Sequence, residues 1–249
     1  NDDPAAWDAQ IDDVLGANFP YFACIGNHDE SAWRGADGYQ KYLQDRLNRL
    51  GITWEGDLGV QSTLRYKGIF FVLTGPDIMG SGHDVYIRDR LAADHSIWSI
   101  SAWHKNMRLM QVGEKSDEAG WEVYEASCEG GAIIATAHEH SYSRTHLLSN
   151  VQQQIVASRA DTLSITKGKT FVFVSGLGGE SIRGQKLSGN WWASIYTSAQ
   201  GANDGALFGV FNVDGIRNLA HFYFKETWNS QVFKKFYSCR DRKNFQKAK

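Results

Sequence analysis

The run Ala132-Ile133-Ile134-Ala135-Thr136-Ala137-His138-Glu139-His140 passes from six small or apolar residues directly into two histidines flanking a carboxylate. A second run is built the same way. Phe19-Pro20-Tyr21-Phe22-Ala23-Cys24-Ile25 is broken by a glycine and followed by Asn27-His28-Asp29-Glu30. Each apolar run is short, rich in β-formers and reads as a buried strand. Each carries metal-capable side chains just past its end, where open α/β sheets hold their ligands.

Working outward, Asp3 and Pro4 cap and start a helix through Trp7, Ile11, Val14 and Leu15, which Gly16 ends. Residues 37–50 form an amphipathic helix, with Tyr39, Tyr42, Leu43, Leu47 and Leu50 on one face and Gly51 closing it. Gln61–Tyr66 and Ile69–Thr74 are strands joined by the turn Lys67-Gly68. Residues 86–93 read as a helix and 97–103 as a strand leading to His104. A helix over 117–127, with Trp121, Tyr124 and Cys128 inside, stops at Gly130-Gly131. After about residue 147 the chain turns β-rich, at 170–175, 208–213 and 219–224, with a hairpin turn at Asn212-Val213-Asp214-Gly215. This order predicts one layered α/β domain over residues 1–235, with helices covering a central sheet. The basic end, 236–249, predicts a solvated tail.

The chain has 249 residues, 42% of them hydrophobic and 13% aromatic, which suits a packed core. A net charge of −2 gives no global field for nucleic acid or a membrane surface. No apolar run is long enough to span a bilayer. Cys24, Cys128 and Cys239 allow at most one internal disulfide, and there is no glycosylation sequon.

Chemistry concentrates in Asn27, His104, His138 and His140. Side chains at i and i+2 of an extended chain share a face, so His138 and His140 can reach one point. Asn27 and His104 come from other strand ends. Imidazole and amide oxygen suit zinc, iron, manganese or nickel rather than calcium. A bound ion of that kind polarises a phosphoryl oxygen and acidifies a water. His28 stands beside a ligand, placed to protonate a leaving oxygen, and Asp29 is placed to fix its tautomer. His83, His95, His146 and His221 lack such a setting, and Trp191, Trp192 and Tyr196 read as packing. Gly176-Leu177-Gly178-Gly179 lacks the lysine of a P-loop and reads as a packing turn.

Together, Gly26-Asn27-His28-Asp29, the strand-end His104 and His138-Glu139-His140-Ser141-Tyr142-Ser143-Arg144 resemble the calcineurin-like metallophosphoesterase superfamily, in its purple acid phosphatase-like branch. Val174-Ser175-Gly176-Leu177-Gly178-Gly179 and the later β segments add weaker matches, so the resemblance runs from about residue 1 to 230. It implies a two-sheet β-sandwich core flanked by helices, with a dinuclear site of divalent or trivalent ions (iron, zinc or manganese). It implies that Asn27, His104 and His138 bind one ion and His140 the other. It also implies that His28 is the catalytic histidine and that Tyr142 and Arg144 lie near substrate.

The family also needs an Asp-x-His and a Gly-Asp motif upstream of the first motif, and residues 1–26 contain neither. Asp2, Asp3, Asp8, Asp12 and Asp13 fall around the first helix instead. The expectation is therefore a partial domain lacking its first strands, its site completed by an N-terminal segment or another chain. The expected activity is hydrolysis of a small phosphate monoester. The alternatives are a phosphodiester or nucleotide hydrolase on the same site, and a non-catalytic binding module in a larger assembly. The branch implies an extracellular or periplasmic location.

Overall fold

A computed structural model describes residues 3–227 and 232–240, with backbone alone for 232–235 and 237. Helix α1 (Pro4–Leu15) starts where expected: the Asp3 carboxylate accepts from Ala6 N–H at 2.9 Å, and Pro4 sits in the first turn, where no N–H is needed. Helix α2 (Tyr39–Arg49) buries Tyr39, Leu43 and Leu47. Its Arg46 is 1% exposed and reaches Asp8 and Asp12 of α1, both at 2.6 Å. Two of the early acids are thus committed to joining helices.

Strands β1 (Trp54–Asp57), β2 (Gln61–Tyr66) and β3 (Ile69–Thr74) follow, with β2 and β3 bounded as the sequence predicts. Lys67 and Gly68 both take positive φ, 48° and 85°, the turn whose twist matches a two-residue hairpin. Next come α3 (His83–Ala93), β4 (Trp98–Ala102), α4 (Trp121–Gly130) and β5 (Ile133–Thr136). Helix α4 begins four residues later than expected. Asp117 instead accepts from Arg108 N–H at 2.7 Å, and Glu118 N–H donates to the Asn106 carbonyl at 3.1 Å, so both serve a loop. The remainder is β: β6 (Tyr142–Thr145), β7 (Leu147–Asn150), β8 (Ile155–Ser158), β9 (Thr162–Ile165), β10 (Val172–Ser175), β11 (Trp192–Tyr196), β12 (Gly205–Phe211), β13 (Leu219–Glu226) and β14 (Val232–Arg240).

Eight strands form one mixed sheet in the order β1-β2-β3-β4-β5-β10-β6-β11. Its middle, β3, β4, β5 and β10, is parallel, so their carboxyl ends share one edge. One face of this sheet lies under α3 and α4, where Ile87, Leu91, Val123 and Tyr124 pack on Phe70, Val72, Ile134 and Val172. The other face meets a four-stranded sheet, β12-β13-β14-β9. There Trp98, Ile133 and Phe171 pack against Leu163, Ile165, Ala220, Phe222 and Phe236. Burial on both faces explains why residues 132–137 carry no polar alternation. The chain is the two-sheet sandwich with flanking helices that its sequence implies. Strands β7 and β8 make a separate ribbon.

Two expectations are corrected. Residues 19–25 are extended but form no ladder strand. Their apolar side chains find burial without pairing: Phe22 lies on Tyr66 and Phe71, Tyr21 on Trp7, and Ile25 N–H donates to the Gly59 carbonyl at 3.0 Å. β-propensity reports a half-buried surface, which a sheet face supplies as well as a ladder does. The basic end does not leave the fold at residue 236. β14 runs through Arg240, and Phe236 stacks on Phe222 with centroids 5.1 Å apart. Residues 241–249, the rest of the expected tail, lie outside the described residues.

Candidate metal centre

The parallel strand ends gather the site. His104 stands two residues past β4, His138 two past β5, and Gly176 one past β10. Asn27 arrives from the loop after residues 19–25. Its Oδ1 lies 2.9 Å from His104 Nε2, and His138 Nδ1 lies 3.0 Å from the same nitrogen. One ring nitrogen cannot serve both neighbours. Asn27 Oδ1 and, with its proton on Nε2, His138 Nδ1 are both acceptors; a single N–H cannot point at both, and an unprotonated His104 Nε2 has a proton for neither. Three electron-pair donors converging on one point are what a cation satisfies. Two donors about 2.1 Å from an ion and at right angles stand about 3.0 Å apart, the spacing found here.

The backbone is bent to achieve this. His138 has φ 62°, the left-handed region that non-glycine residues rarely enter. Glu139 N–H donates to the Ala137 carbonyl at 2.7 Å and Ser141 N–H to the Glu139 carbonyl at 2.8 Å, coiling the His-Glu-His segment tightly. Such strain is held at sites where position matters more than local stability. Gly26 and Gly176 let other segments close on it. A Cβ on Gly26 would lie 3.3 Å from the His104 ring, and one on Gly176 2.0 Å from the Glu139 carbonyl oxygen.

Glu118 is the residue that the sequence did not reveal. Its Oε2 lies 3.3 Å from His138 Nε2, the nitrogen on the far side of the ring from Asn27 and His104. Neither atom has a hydrogen-bond partner among the described residues, and a small turn of either side chain would let Nε2–H donate to this carboxylate. No spacing signals it, because Glu118 belongs to the loop before α4. Glu118→Gln is expected to weaken divalent-metal binding by about 10- to 100-fold in a chelator-competition titration. Unchanged affinity would show that Glu118 does not steer His138.

Burial, then the neighbouring cations and histidines, lowers the His104 pKa to about 4 and that of His138 to about 3. Both rings are neutral at pH 7, as ligands must be. The unfolded chain takes up protons near pH 6.5 that the fold refuses, so stability present above that pH is lost as pH falls towards 4. Calorimetry of metal-free protein should show a level melting temperature from pH 7 to 8 and a decline from about 6.5 to 4. Replacing His138 by glycine should make the decline shallower. A melting temperature that rises on acidification would contradict this.

His28 is exposed and lines a cleft of 740 Å³ with His104, His138 and His140. His140 Nδ1–H donates to the Ser181 carbonyl at 2.9 Å, so in the neutral ring the lone pair is on Nε2. Among the described residues no hydrogen bond joins Asp29 to His28, though the two are close enough to interact electrostatically. The Asp29 carboxylate accepts from Gly26 N–H at 2.8 Å while Asp29 N–H donates back to the Gly26 carbonyl at 3.1 Å, so it closes its own turn. Burial raises its pKa before any partner acts. Tyr142 and Arg144 do not face the cleft either. Tyr142 is fully buried against Phe224, and Arg144, 7% exposed, holds its guanidinium 3.8 Å over the Phe236 ring. Their place on β6, between the sheets, gives them a packing role.

The donors fit one ion on Asn27, His104 and His138. Among the described residues no group of three or more His, Cys, Asp or Glu side chains could hold a metal; His140 lines the same cleft.

No protein-family model matches this sequence, and no curated protein does. Among solved structures it superposes on a purple acid phosphatase isolated from yellow lupin (Lupinus luteus) seeds with a TM-score of 0.69. The identity is 17%, over 96% of this chain and 44% of the lupin chain. A structure of PhoD overlaps 50% of this chain and 28% of its own at 8% identity, with a TM-score of 0.28, too loose to argue from. The chain therefore has a metallophosphoesterase-like fold, the fold of the lupin phosphatase. It spans less than half of that protein's length.

Proposed function

We propose that this chain forms part of a metal-dependent hydrolase of phosphate monoesters with a dinuclear site. The convergence of Asn27 Oδ1 with His104 Nε2 and His138 Nδ1, the last two just past parallel strand ends, carries the reading. Ions of iron, zinc or manganese held there would supply Lewis acidity and a water acid enough to attack phosphorus. Asn27, His104 and His138 would hold the first ion, with the Glu118 carboxylate 3.3 Å from the outer nitrogen of His138. His140, its Nδ1 proton occupied by the Ser181 carbonyl, would offer Nε2 to the second. His28, exposed in the same cleft, hydrogen-bonds the phosphoryl group and returns a proton to the leaving oxygen. The remaining ligands, including the carboxylate that a second ion needs, come from a segment or chain outside these 249 residues.

The test is metal analysis of the native protein together with turnover of an aryl phosphate and a bis-aryl phosphodiester. About two ions per protein and faster monoester cleavage are expected. Faster diester cleavage would favour the diesterase alternative, and an intact protein with neither metal nor turnover would leave only a non-catalytic module. Among the described residues no helix is long and apolar enough to cross a membrane. The extracellular or periplasmic location rests on the family resemblance alone.

A further inference from the structure

His138 stands at the apex of a three-residue turn. Glu139 N–H donates to the Ala137 carbonyl at 2.7 Å across it, and His138 takes φ 62° between them. A turn closed over a positive φ is rare and strained, and it persists only where its surroundings hold it. The Ala137 carbonyl is the atom to hold, because its direction sets the direction in which the turn projects the imidazole.

Asn106 holds it. This residue lies two past His104 and is fully buried, and its Nδ2 donates to the Ala137 carbonyl at 2.6 Å. The amide is fixed from its other end. Tyr124, also fully buried, donates its hydroxyl to Asn106 Oδ1 at 3.3 Å and accepts from Met107 N–H at 3.4 Å. A flipped amide would set its oxygen against the carbonyl oxygen of Ala137 and its NH₂ against the hydroxyl proton. The backbone of Asn106 is engaged as well. Its carbonyl accepts at 3.1 Å from the N–H of Glu118, whose carboxylate lies behind His138. Ala137 N–H donates to the His104 carbonyl at 3.2 Å and ties the same two strand ends together. One buried residue thus joins the segments that carry His104, His138 and Glu118. Packing alone would favour an apolar side chain there, since a buried amide is costly unless bonded. What the amide adds is direction.

We propose that Asn106 is a positioning residue of the metal centre: its amide, oriented by Tyr124, pins the Ala137 carbonyl and so sets the turn that presents His138 Nδ1 to the ion beside His104. This rests on the metal-centre reading above and adds to it a residue that is not a ligand.

Cobalt(II) titration of the native protein, followed by visible d–d absorption, tests this without turnover. The bands report the number and geometry of the donors around the ion, which a general loss of stability does not alter. Asn106→Asp replaces the donor by an acceptor of the same shape, and Asn106→Ala removes it without adding charge. Each folded variant should bind cobalt at least about tenfold more weakly and with shifted bands, the low end of the range for groups that orient ligands. Phe171→Ala, which weakens the joint between the sheets, should keep the parent's affinity and bands. The parent's affinity and bands in either folded Asn106 variant would overturn the proposal, as would an equal loss in Phe171→Ala. Loss of the fold in both Asn106 variants would make the residue structural and overturn it too. A parent protein that binds no cobalt would instead remove the metal centre itself, and the proposal with it. Circular dichroism melts of the metal-free proteins identify which variants are folded.

Discussion

His138→Gly is expected to leave the chain folded and to strip it of metal. The imidazole supplies one of three converging donors, with Nδ1 3.0 Å from His104 Nε2. Loss of an outer-sphere partner alone costs about 10- to 100-fold in metal affinity, so loss of the ligand itself should exceed about 100-fold. Hydrolysis should fall at least as far if the proposed function holds. Glycine is the informative replacement because His138 sits at φ 62°. An alanine there keeps a left-handed strain of about 1 kcal/mol, whereas glycine releases it. The melting temperature of the metal-free variant should therefore match or slightly exceed that of the parent. A variant that binds metal with the parent's affinity would remove His138 from the centre. One that fails to fold would make the residue structural instead.

Phe171→Ala should do the opposite, costing the fold and not the site. Phe171 is fully buried where the two sheets meet, with ring centroids 5.7 Å from Phe222 and 5.3 Å from Phe236. Truncating a buried phenylalanine costs about 3–5 kcal/mol, a large share of the 5–15 kcal/mol typical of a whole domain. At about 2–4 °C per kcal/mol for a chain of this size, the melting temperature should drop by roughly 6–20 °C. Phe208, 44% exposed on the outer face of the four-stranded sheet, is the contrast, and its truncation should cost well under half as much. Equal losses at the two positions would mean that the sheets are not joined through this core. Thermal melts of the metal-free proteins decide it.

The difference between these two sites marks what is readable in a sequence. Pro4–Leu15, Gln61–Tyr66 and Ile69–Thr74 carry local signals: a cap, a proline in the first turn, and a turn dipeptide between two β runs. Such signals act within a few residues, so the chain displays them directly. Residues 19–25 show where local signals stop. Their apolar, β-rich composition demands burial, and composition does not say whether a ladder or a sheet face provides it. The basic residues after 235 likewise hid the alternation that sets Phe236 into the core.

At the site, residue type and strand-end position identified Asn27, His104, His138 and His140 as chemically capable. Those features are properties of single segments. Asp29, by its place beside His28, and Tyr142 and Arg144, by the family resemblance, were also expected at the site, and the fold gives all three other contacts. Whether a side chain faces the cleft or the space between two sheets depends on which strand pairs with which, and pairing joins residues far apart in the chain. The sequence alone determined the two segments, each following an apolar run, that carry metal-capable groups. Only the tertiary structure decided that Glu118 stands behind His138, and that Asn106 reaches the Ala137 carbonyl. Those contacts are made by loops whose positions are set by the parallel strands beneath them, and no local rule of spacing reaches that far.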